Sequence, residues 1–475
     1  MSCLGEEEMS TIRDLERIIE MAGRQVTATA AEEPQLVEKV KAGDSGCGAE
    51  AGLRGGSQCN DALEQRLYLG DNLKLMKALA EDENICGKIQ MIYIDPPFFT
   101  KADYDAVVPV GGKQVRHKAY EDRWHNGMYE YLRQLTARLL VMKKLLAEDG
   151  LIWVHLDWHA AHYVRIIMDE IFGENNFLNE IIWTYKSGGS SKRRFARKHD
   201  NILLYSKSSS YKFNILKEKS YNRGYKPYRF KGVKEYEDEM GWYTMVNMKD
   251  VWNVDMVGRT SAERTGYATQ KPEKLLERII EASTDPGDLC ADFFCGSGTL
   301  AAAAAKLGRR SISCDSGMLA VETTAGRLCR LGTGFSVYAG EKERWMRESA
   351  SHFHVDLEIS RERLLGPDAY LLSVTLKGVE EVSLGRNMEQ KDRKLVRKTA
   401  KSDPLTLIEL WSIDYDHDGA VHRPADVQVR TGGKIADHCE KILTADPERQ
   451  ICIKFVDLMG RVHIEKFREQ DIPVK

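Results

Sequence analysis

The stretch Met91-Ile92-Tyr93-Ile94-Asp95-Pro96-Pro97-Phe98-Phe99-Thr100 decides how the rest of the chain is organised. Its first four residues are apolar and rich in β-branched and aromatic side chains, which is typical of a buried strand. Two prolines then end the strand, because proline donates no backbone hydrogen bond. The stretch therefore predicts a strand that brings the Asp95 carboxylate, a rigid turn and an aromatic pair to one sheet edge. In open α/β sheets, ligands bind at this carboxyl edge.

Strands and helical patterns alternate on both sides of this stretch. Helical periodicity runs from Met128 to Ala147, for example, and Asp149-Gly150 ends it before the next apolar run. Such alternation is typical of a doubly wound α/β fold, so we predict one seven-stranded sheet of this class. Its strands are predicted to end near Leu69, Ile94, Leu156, Thr184, Tyr205, Phe293 and Cys314.

The two ends of the chain differ from this alternating part. Short helical patterns at Thr11 to Met21 and Pro34 to Val40 precede a glycine-rich stretch without periodicity, which we interpret as a linker. Beyond Gly340 the pattern changes to mixed strands and helices, including a hairpin from Ile451 to Ile464. We predict an α+β domain there and find no catalytic motif in it.

Composition narrows the class of protein. The chain has 475 residues, 42% of them hydrophobic, and a formal net charge of −3, which favours no particular partner. Its ten cysteines are scattered without CxxC spacing or a neighbouring histidine cluster, which argues against a zinc site and a disulfide framework. No signal segment or membrane span is evident. We expect a soluble, cytoplasmic protein without a metal and without a membrane partner.

A second candidate site is the turn Asp292-Phe293-Phe294-Cys295-Gly296-Ser297-Gly298-Thr299, where a strand must reverse into a helix. Glycines permit positive φ and a close approach of the backbone to a ligand. The helix start at Thr299 offers free amides to an anionic group. Asp315, at the end of the next strand, is placed to accept ribose hydroxyls, and a helix-capping role for it stays open.

The turn after Asp95 offers a complementary chemistry. The Asp95 carboxylate and the Pro96 carbonyl form a pair of hydrogen-bond acceptors, which suits an NH2 group. The Phe98 ring could stack on the planar group that carries this amine, as enzymes that extrude a nucleotide require. A rigid turn with a capping aspartate and a core phenylalanine is the alternative. His155, at the end of another strand, is better explained as a satisfied core histidine.

Together, Ile92 to Phe98 and Asp292 to Thr299 resemble the catalytic and S-adenosylmethionine motifs of the amino-group DNA methyltransferases. The catalytic motif comes first, as in the circularly permuted β class, which includes the Mod subunits of type III restriction-modification systems. The resemblance covers about Arg66 to Leu331. It implies a Rossmann-like methyltransferase sheet in permuted order, S-adenosylmethionine as cofactor and double-stranded DNA as substrate.

The resemblance also implies roles for individual residues. Catalytic roles fall to Asp95, Pro96, Pro97 and Phe98. Asp71 is assigned to the cofactor's adenine, although capping of the helix at Asn72 explains it equally well. Cofactor binding is further implied for Asp292, Phe294, Gly296, Gly298, Thr299, Asp315, Gln270, Lys271 and Pro272. Because this family usually pairs Asp-Pro-Pro-Phe with adenine, we expect methylation of the adenine N6 amine, with the cytosine N4 amine as the alternative.

The segment Lys186 to Lys231 holds fourteen Lys and Arg residues against two acids, with aromatic residues throughout. Positive charge combined with stacking rings suits a nucleic-acid groove, whereas charge runs are otherwise solvated surface. The segment begins where the resembling family places target recognition. We expect DNA contacts from Arg123, Trp124, Lys192, Arg193, Arg194, Arg197 and Lys198.

These motifs divide the chain into five predicted regions. They are a helical and linker segment (1–62), a catalytic half (63–206), a target-recognition insert (207–266), a cofactor-binding half (267–335) and the C-terminal α+β domain (340–475). The sequence leaves open whether the protein associates with a restriction endonuclease and whether it forms a homodimer. A further alternative is an inactive DNA-recognition subunit of a restriction-modification complex, although an intact Asp95 and an intact glycine turn argue against it.

Overall fold

The computed structural model describes residues 14–43, 64–124, 127–189, 192–258, 260–340, 353–364, 369–381 and 388–475. The helices of these ranges are α1 (Leu15–Ala28), α2 (Asn72–Leu79), α3 (Gly127–Leu145), α4 (Ala161–Phe172), α5 (Glu273–Ser283), α6 (Thr299–Lys306), α7 (Met318–Arg330) and α8 (Gln390–Ser402). The first eleven strands are β1 (Gln35–Val40), β2 (Gln65–Leu69), β3 (Ile89–Ile94), β4 (Asp103–Val110), β5 (Lys113–Glu121), β6 (Leu146–Leu156), β7 (Phe177–Thr184), β8 (His199–Ser206), β9 (Lys217–Tyr221), β10 (Glu235–Asp238) and β11 (Gly241–Asn247). The others are β12 (Val251–Asn253), β13 (Leu289–Asp292), β14 (Arg310–Asp315), β15 (Phe335–Ala339), β16 (Phe353–Arg363), β17 (Ala369–Glu381), β18 (Ile408–Asp414), β19 (Asp426–Val429), β20 (His438–Thr444), β21 (Gln450–Asp457) and β22 (Val462–Arg468).

A ten-stranded sheet forms the centre of the fold, in the order β1-β15-β2-β14-β13-β3-β6-β8-β7-β12. The strands from β15 to β6 in this order are parallel, whereas β8 is antiparallel to both β6 and β7. All six residues of β3 are buried. A strand that is covered on both faces reads as a continuous apolar run, which explains why the sequence predicts β3 so clearly.

Helices cover both faces of this sheet. Ile92 and Ile94 face a core that includes α1, α2, α3 and α4. The alternate residues Met91 and Tyr93 face a second core with α5 and α6. Side chains alternate between the faces of a strand, so β3 contributes to both cores. The doubly wound α/β class is thus confirmed.

The sheet is larger than the sequence predicts. All seven predicted strands belong to it, but β1, β12 and β15 add to them. The helical pattern at Pro34 to Val40 is wrong, because Gln35–Val40 forms β1 and pairs antiparallel with β15. The strand ending near Cys314 is therefore not the last of the sheet. The predicted linker lies largely outside the described residues, from position 44 onward.

Two smaller sheets and α8 form the C-terminal part, in the orders β16-β17-β20 and β19-β18-β21-β22. Their core also contains Val108, Val110 and Val115 of the β4–β5 hairpin, which the sequence analysis misses. A fourth core joins α7 and the β1 edge of the large sheet to β18, β19, β21 and β22. Strands β9, β10 and β11 form a separate three-stranded sheet.

Two sequence-based expectations concern the remaining parts of the chain. The expectation that no cysteine neighbours a histidine cluster is wrong for Cys452, because its Sγ and ring nitrogens of His417 and His422 lie within 4.8 Å of one another. Within the described ranges, every helix is too short or too polar to cross a membrane.

A buried ion cluster fastens the four-stranded C-terminal sheet to the ten-stranded sheet. Lys454 of β21 binds Glu38 of β1 at 2.6 Å and Glu322 of α7 at 2.9 Å. All three side chains are at least 97% buried. Burial raises the pKa of Glu322, and the Lys454 charge opposes this effect. The lysine is therefore the cation that makes burial of these two carboxyl groups tolerable.

We expect Lys454→Met to destabilise the protein by about 3–5 kcal/mol, because it leaves two buried carboxyl groups without their cation. Urea unfolding of the full chain measures the change. Lys466→Met on neighbouring β22 is the control, since Lys466 is exposed and its loss should change stability by no more than about 0.5 kcal/mol. Equal stability of wild type and Lys454→Met would contradict the role given to the cluster.

Candidate active site

A cavity of about 280 Å³ lies at the carboxyl edge of four neighbouring parallel strands. Asp71 follows β2, Asp95 follows β3, Asp292 ends β13 and Asp315 ends β14, and all four line the cavity. Parallel strands end at the same sheet edge, so acids from distant parts of the chain meet there. With Glu121, five acids and two basic residues, Arg138 and Lys271, line the cavity among the residues that the structure describes. Its chemistry favours a ligand that carries positive charge.

One carboxylate oxygen of Asp95 accepts a hydrogen bond, and the other has no partner among the described residues. Lys271 Nζ donates a hydrogen bond to Asp95 Oδ2. Oδ1 is buried and has no hydrogen-bond partner among the described residues. Leaving a buried acceptor unpaired costs free energy, on the order of 1–3 kcal/mol. Such an atom at a cavity wall is a natural acceptor for a ligand donor.

The turn after Asp95 is fixed by a buried carboxylate, that of Asp122. It accepts hydrogen bonds from the Phe99 amide at 3.2 Å, the Thr100 amide at 2.6 Å and the Thr100 hydroxyl at 2.8 Å. Trp124 Nε1 adds a fourth at 3.0 Å. Phe99 has a φ of 63°, a conformation that non-glycine residues rarely adopt. Asp122 therefore holds a strained turn in place beside Pro97 and Phe98.

Phe98 lies beside the ring of His155 and is not one of the residues that line the cavity. The two ring centroids lie 5.7 Å apart. His155 is fully buried and bonds Tyr93 at 2.8 Å and Asp200 at 3.3 Å, as predicted for a satisfied core histidine. Lys271 Nζ lies 5.2 Å from the Phe98 centroid, a cation–π distance. The aromatic ring thus stands directly beside the Asp95–Lys271 pair.

The glycine turn has the conformation that the sequence predicts. Gly296 and Gly298 have φ values of 49° and 70°. A Cβ at Gly298 would clash with the Thr324 side chain of α7, so this glycine is required for packing. The Gly296 amide donates to Asp315 Oδ2 at 3.0 Å, and the Gly317 amide donates to Oδ1 at 2.9 Å. Asp315 thus braces the turn, whereas the N-cap of α7 is Gly317.

Residues 269–272 separate into distinct roles. Lys271 reaches Asp95, as described above. Gln270 lines the cavity, but its side chain is hydrogen-bonded to the preceding loop. It accepts from the Thr265 amide at 2.8 Å and donates to the Glu263 carbonyl at 2.6 Å. Pro272 is the N-cap of α5 and stands behind the cavity wall. Thr269 has a φ of 56° and bonds Tyr120 at 3.0 Å.

Asn72 and Arg138 also line the cavity, and the sequence analysis does not predict this. Asn72 Nδ2 donates to the Phe293 carbonyl at 2.7 Å, and its Oδ1 accepts from Arg138 Nε at 2.7 Å. These bonds tie α2 and α3 to the end of β13. Asp71 caps α2 through the amides of Leu73 and Lys74 and also lines the cavity. Both roles proposed for Asp71 are thus sterically compatible.

Burial raises the pKa of Asp292 well above its ordinary value, and the charges of Asp95 and Asp315 add to this effect. Burial also raises the pKa of Asp315, although the amides of Gly317 and Gly296 oppose it. These carboxyl groups share one poorly solvated space. A positively charged ligand would relieve their mutual repulsion.

The structure brings together most of the predicted cofactor and catalytic residues. The cavity is lined by Asp71, Asp95, Pro97, Gln270, Lys271, Asp292, Phe294, Gly296, Thr299 and Asp315. Pro96, Phe98, Gly298 and Pro272 stand next to lining residues. Arg123 is exposed and pairs with Asp103 at 2.8 Å, and Trp124 packs edge-on against Tyr131, with centroids 5.3 Å apart.

The predicted DNA-contacting residues 192–198 lie in the loop between β7 and β8. Thr184 pairs with His199 and Leu156 pairs with Asn201, so this loop stands at the same sheet edge as Asp95. Phe195 is 98% exposed, and the Arg197 guanidinium lies 3.3 Å from the Trp158 ring centroid. Lys192, Arg193 and Arg194 are exposed. Lys198 instead folds back onto the carbonyls of Ser187 and Gly188.

Comparisons with known proteins show the family of this chain. Residues 89–325 match the N6_N4_Mtase family model, described as "DNA methylase". The type II methyltransferase M2.DpnII of Streptococcus pneumoniae is 30% identical over 230 residues, which cover 48% of this chain and 77% of that protein. The type II methyltransferase M.EcaI of Enterobacter cloacae is 28% identical over 322 residues, covering 55% and 68%. Among solved structures, the M1.HpyAVI–SAM complex matches 55% of this chain and 98% of its own chain at 19% identity, with a TM-score of 0.36.

The chain belongs to the N6/N4 DNA methylase family. Members of this family are DNA methyltransferases that use S-adenosylmethionine. The matched range begins at β3 and ends in α7, and so includes both the Asp95 turn and the glycine turn.

We expect Asp292→Asn to raise the melting temperature at pH 8 by a few degrees, the size of an effect of about 1 kcal/mol, and to change it little near pH 4. The folded wild type has the higher pKa and so binds more protons than the unfolded chain. Its stability therefore falls as pH rises from the unfolded pKa toward the folded one. The asparagine avoids this loss and can still accept from the Phe294 amide.

Thermal unfolding of the ligand-free protein across this pH range measures the difference. Asp149→Asn is the matched control, because Asp149 is exposed on the opposite edge of the sheet. A pH-independent difference between Asp292→Asn and wild type would show that Asp292 has no raised pKa.

Proposed function

We propose that this DNA methyltransferase transfers a methyl group to the exocyclic N6 amine of an adenine extruded from double-stranded DNA. One observation carries the proposal. Asp95 Oδ1 is a buried acceptor without a described partner, at the wall of the cavity that the glycine turn also lines. An NH2 group needs an acceptor of this kind, and a methyl donor needs the adjoining space.

The residues around the cavity fit S-adenosylmethionine, whose sulfonium and ammonium groups are cationic. Asp71, Asp292 and Asp315 supply negative charge, and the backbone at Gly296 carries no side chain that would keep a ligand away. When bound, the cofactor supplies an electrophilic methyl group. We assign Asp315 to its ribose, Gly296 and Gly298 to its methionine part, and Asp71 to its adenine.

Asp95 acts mainly by orienting the amine. Lys271 holds Oδ2, which fixes the direction of Oδ1, and the Pro96 carbonyl provides the second acceptor. Two such hydrogen bonds favour a pyramidal nitrogen whose lone pair points away from them. Positioning of this kind can supply much of the rate enhancement of a transfer reaction. Phe98 holds the base by stacking, and the Asp122 network keeps the turn ready before the base arrives.

The choice of adenine depends on the resemblance of Asp95-Pro96-Pro97-Phe98 to adenine-specific motifs. Cytosine presents a similar amine to the same acceptors, so N4-cytosine methylation is the alternative. The relatives described above carry type II names. A relationship to type III Mod subunits and association with a restriction endonuclease are therefore separate proposals.

The loop 192–198 and the insert 207–266 form the proposed DNA surface. Exposed basic residues precede and follow the exposed Phe195 in the loop at the sheet edge that carries Asp95. In the insert, Tyr225, Tyr228 and Phe230 are also exposed, whereas Lys212 and Lys219 are paired with acids. The surface thus combines charge for the phosphates with rings for the bases.

We expect Asp95→Asn to lower kcat by on the order of 100-fold while leaving S-adenosylmethionine binding measurable, because it weakens the acceptor that orients the amine. Methyl-labelled cofactor, unmethylated genomic DNA and nucleoside analysis give the rate and the product. The control is Asp105→Asn, an exposed aspartate of β4.

The product from the wild type tests the substrate. Label in N6-methyladenosine supports the proposal, and label in N4-methylcytosine would replace adenine by cytosine. Cofactor binding without any labelled nucleoside would instead indicate a recognition subunit that requires a partner.

We expect the double variant Lys192→Ala/Arg197→Ala to bind DNA more weakly and to reduce the slope of log affinity against log salt by about two, as for the loss of two phosphate contacts. Fluorescence anisotropy at several salt concentrations measures both. Lys88→Ala is the control, because exposed Lys88 precedes β3 and lies at the opposite sheet edge. An unchanged slope would exclude these residues from the DNA surface.

A further inference from the structure

Two histidines and a cysteine meet in the C-terminal part, away from the methyltransferase cavity. His417 and His422 lie in the connection that follows β18, and Cys452 lies in β21 opposite Asp414. One ring nitrogen of each histidine and the cysteine sulfur lie within 4.8 Å of one another. The three residues are 9%, 3% and 1% exposed.

Each imidazole in this cluster leaves one ring nitrogen unused. His417 Nε2 and His422 Nδ1 are buried and have no hydrogen-bond partner among the described residues. An unsatisfied buried polar atom costs on the order of 1–3 kcal/mol, and here two such atoms belong to the same small group. A ligand that accepts the lone pairs of both nitrogens would remove this free-energy cost.

The opposite nitrogens are already oriented. His417 Nδ1 lies 3.2 Å from Asp414 Oδ2, and because a carboxylate only accepts, this nitrogen donates. In the neutral imidazole, Nε2 of His417 therefore carries the lone pair. His422 Nε2 is bonded to Ser412 Oγ at 2.8 Å, and when it donates to this hydroxyl, Nδ1 carries the lone pair. Hydrogen bonds from the second ring nitrogen are how proteins orient histidines that bind metals.

We propose that His417 Nε2, His422 Nδ1 and Cys452 Sγ bind a zinc ion. Imidazole and thiolate ligands together suit this ion, at distances of about 2.0–2.3 Å. In a tetrahedral site such ligand atoms lie about 3.5 Å apart, so the group has to contract by up to about 1.3 Å from its present limit of 4.8 Å. Cys452 binds as the thiolate and releases its proton to solvent. A water molecule completes the fourth position.

The zinc ion would hold in place the loop through which the four-stranded C-terminal sheet binds the ten-stranded sheet. The His422 amide donates to the Val37 carbonyl and the Lys39 amide donates to the His422 carbonyl, each at 2.9 Å, so His422 is bonded to β1 through its backbone. Cys452 belongs to β21, the strand that also carries Lys454. The ion thus clamps the β1-binding loop onto β21.

Metal analysis of the whole 475-residue chain tests this proposal. We expect about one equivalent of zinc after chelator treatment, equimolar Zn²⁺ and desalting, with a higher melting temperature than the chelator-treated form. Titration with Co²⁺ should give a thiolate-to-metal charge-transfer absorption together with the visible bands of a tetrahedral site. His417→Gln, His422→Gln and Cys452→Ser should each bind at least tenfold more weakly.

Cys439→Ser is the matched control, because Cys439 is another buried cysteine of the C-terminal part but lies outside the cluster. It should keep the metal and the charge-transfer band. Absence of Zn²⁺ binding in the wild type, a Co²⁺ spectrum without the thiolate band, or selective binding of copper would each overturn the zinc assignment. The wild-type Co²⁺ spectrum decides even where a variant fails to fold.

Discussion

The parallel pairing of β3 with β13 is the constraint on which the site depends. Met91 is in register with Cys290 and Ile92 with Ala291, so the two strands end together although they lie far apart in the chain. This pairing sets Asp95 beside Asp292 and the glycine turn. Pairing of β13 with β14 extends the same edge to Asp315. A shift of this register by one residue would turn the acids to other faces and remove the cavity.

Fold class and seven strands were predictable because buried strands leave a local apolar signal. β1 leaves no such signal, because it contains the charged residue Glu38. Glu38 is buried because it pairs with Lys454, and this pairing cannot be deduced from the residues next to Glu38 in the sequence. β12 has three residues and is too short for a pattern. The β4–β5 hairpin did carry a signal, namely alternating residues around Gly111-Gly112, a typical tight-turn pair. Its packing against the C-terminal core depends on tertiary contacts that no local pattern shows.

The site was predictable to the extent that chemistry follows strand ends. Asp95, Asp292 and Asp315 were found in this way, and the structure brings them to one cavity. The contacts that fix these acids and their turns could not be predicted. They are made by Asn72, Asp122 and the Lys271–Asp95 pair, which connect elements that are distant in the sequence. Likewise, the histidines near Cys452 are unremarkable along the chain and meet it only through the pairing of β18 with β21.

The backbone bonds between β1 and His422 have a consequence for solubility. β1 is the outermost strand of the large sheet, and an uncovered edge strand offers unpaired amides and carbonyls to other chains. The His422 loop occupies part of this edge by bonding Val37 and Lys39. The C-terminal part thereby protects the catalytic sheet from edge-to-edge aggregation, whatever else it binds. A shortened chain that ended after β15 would retain every residue of the cavity and yet expose a strand prone to self-association.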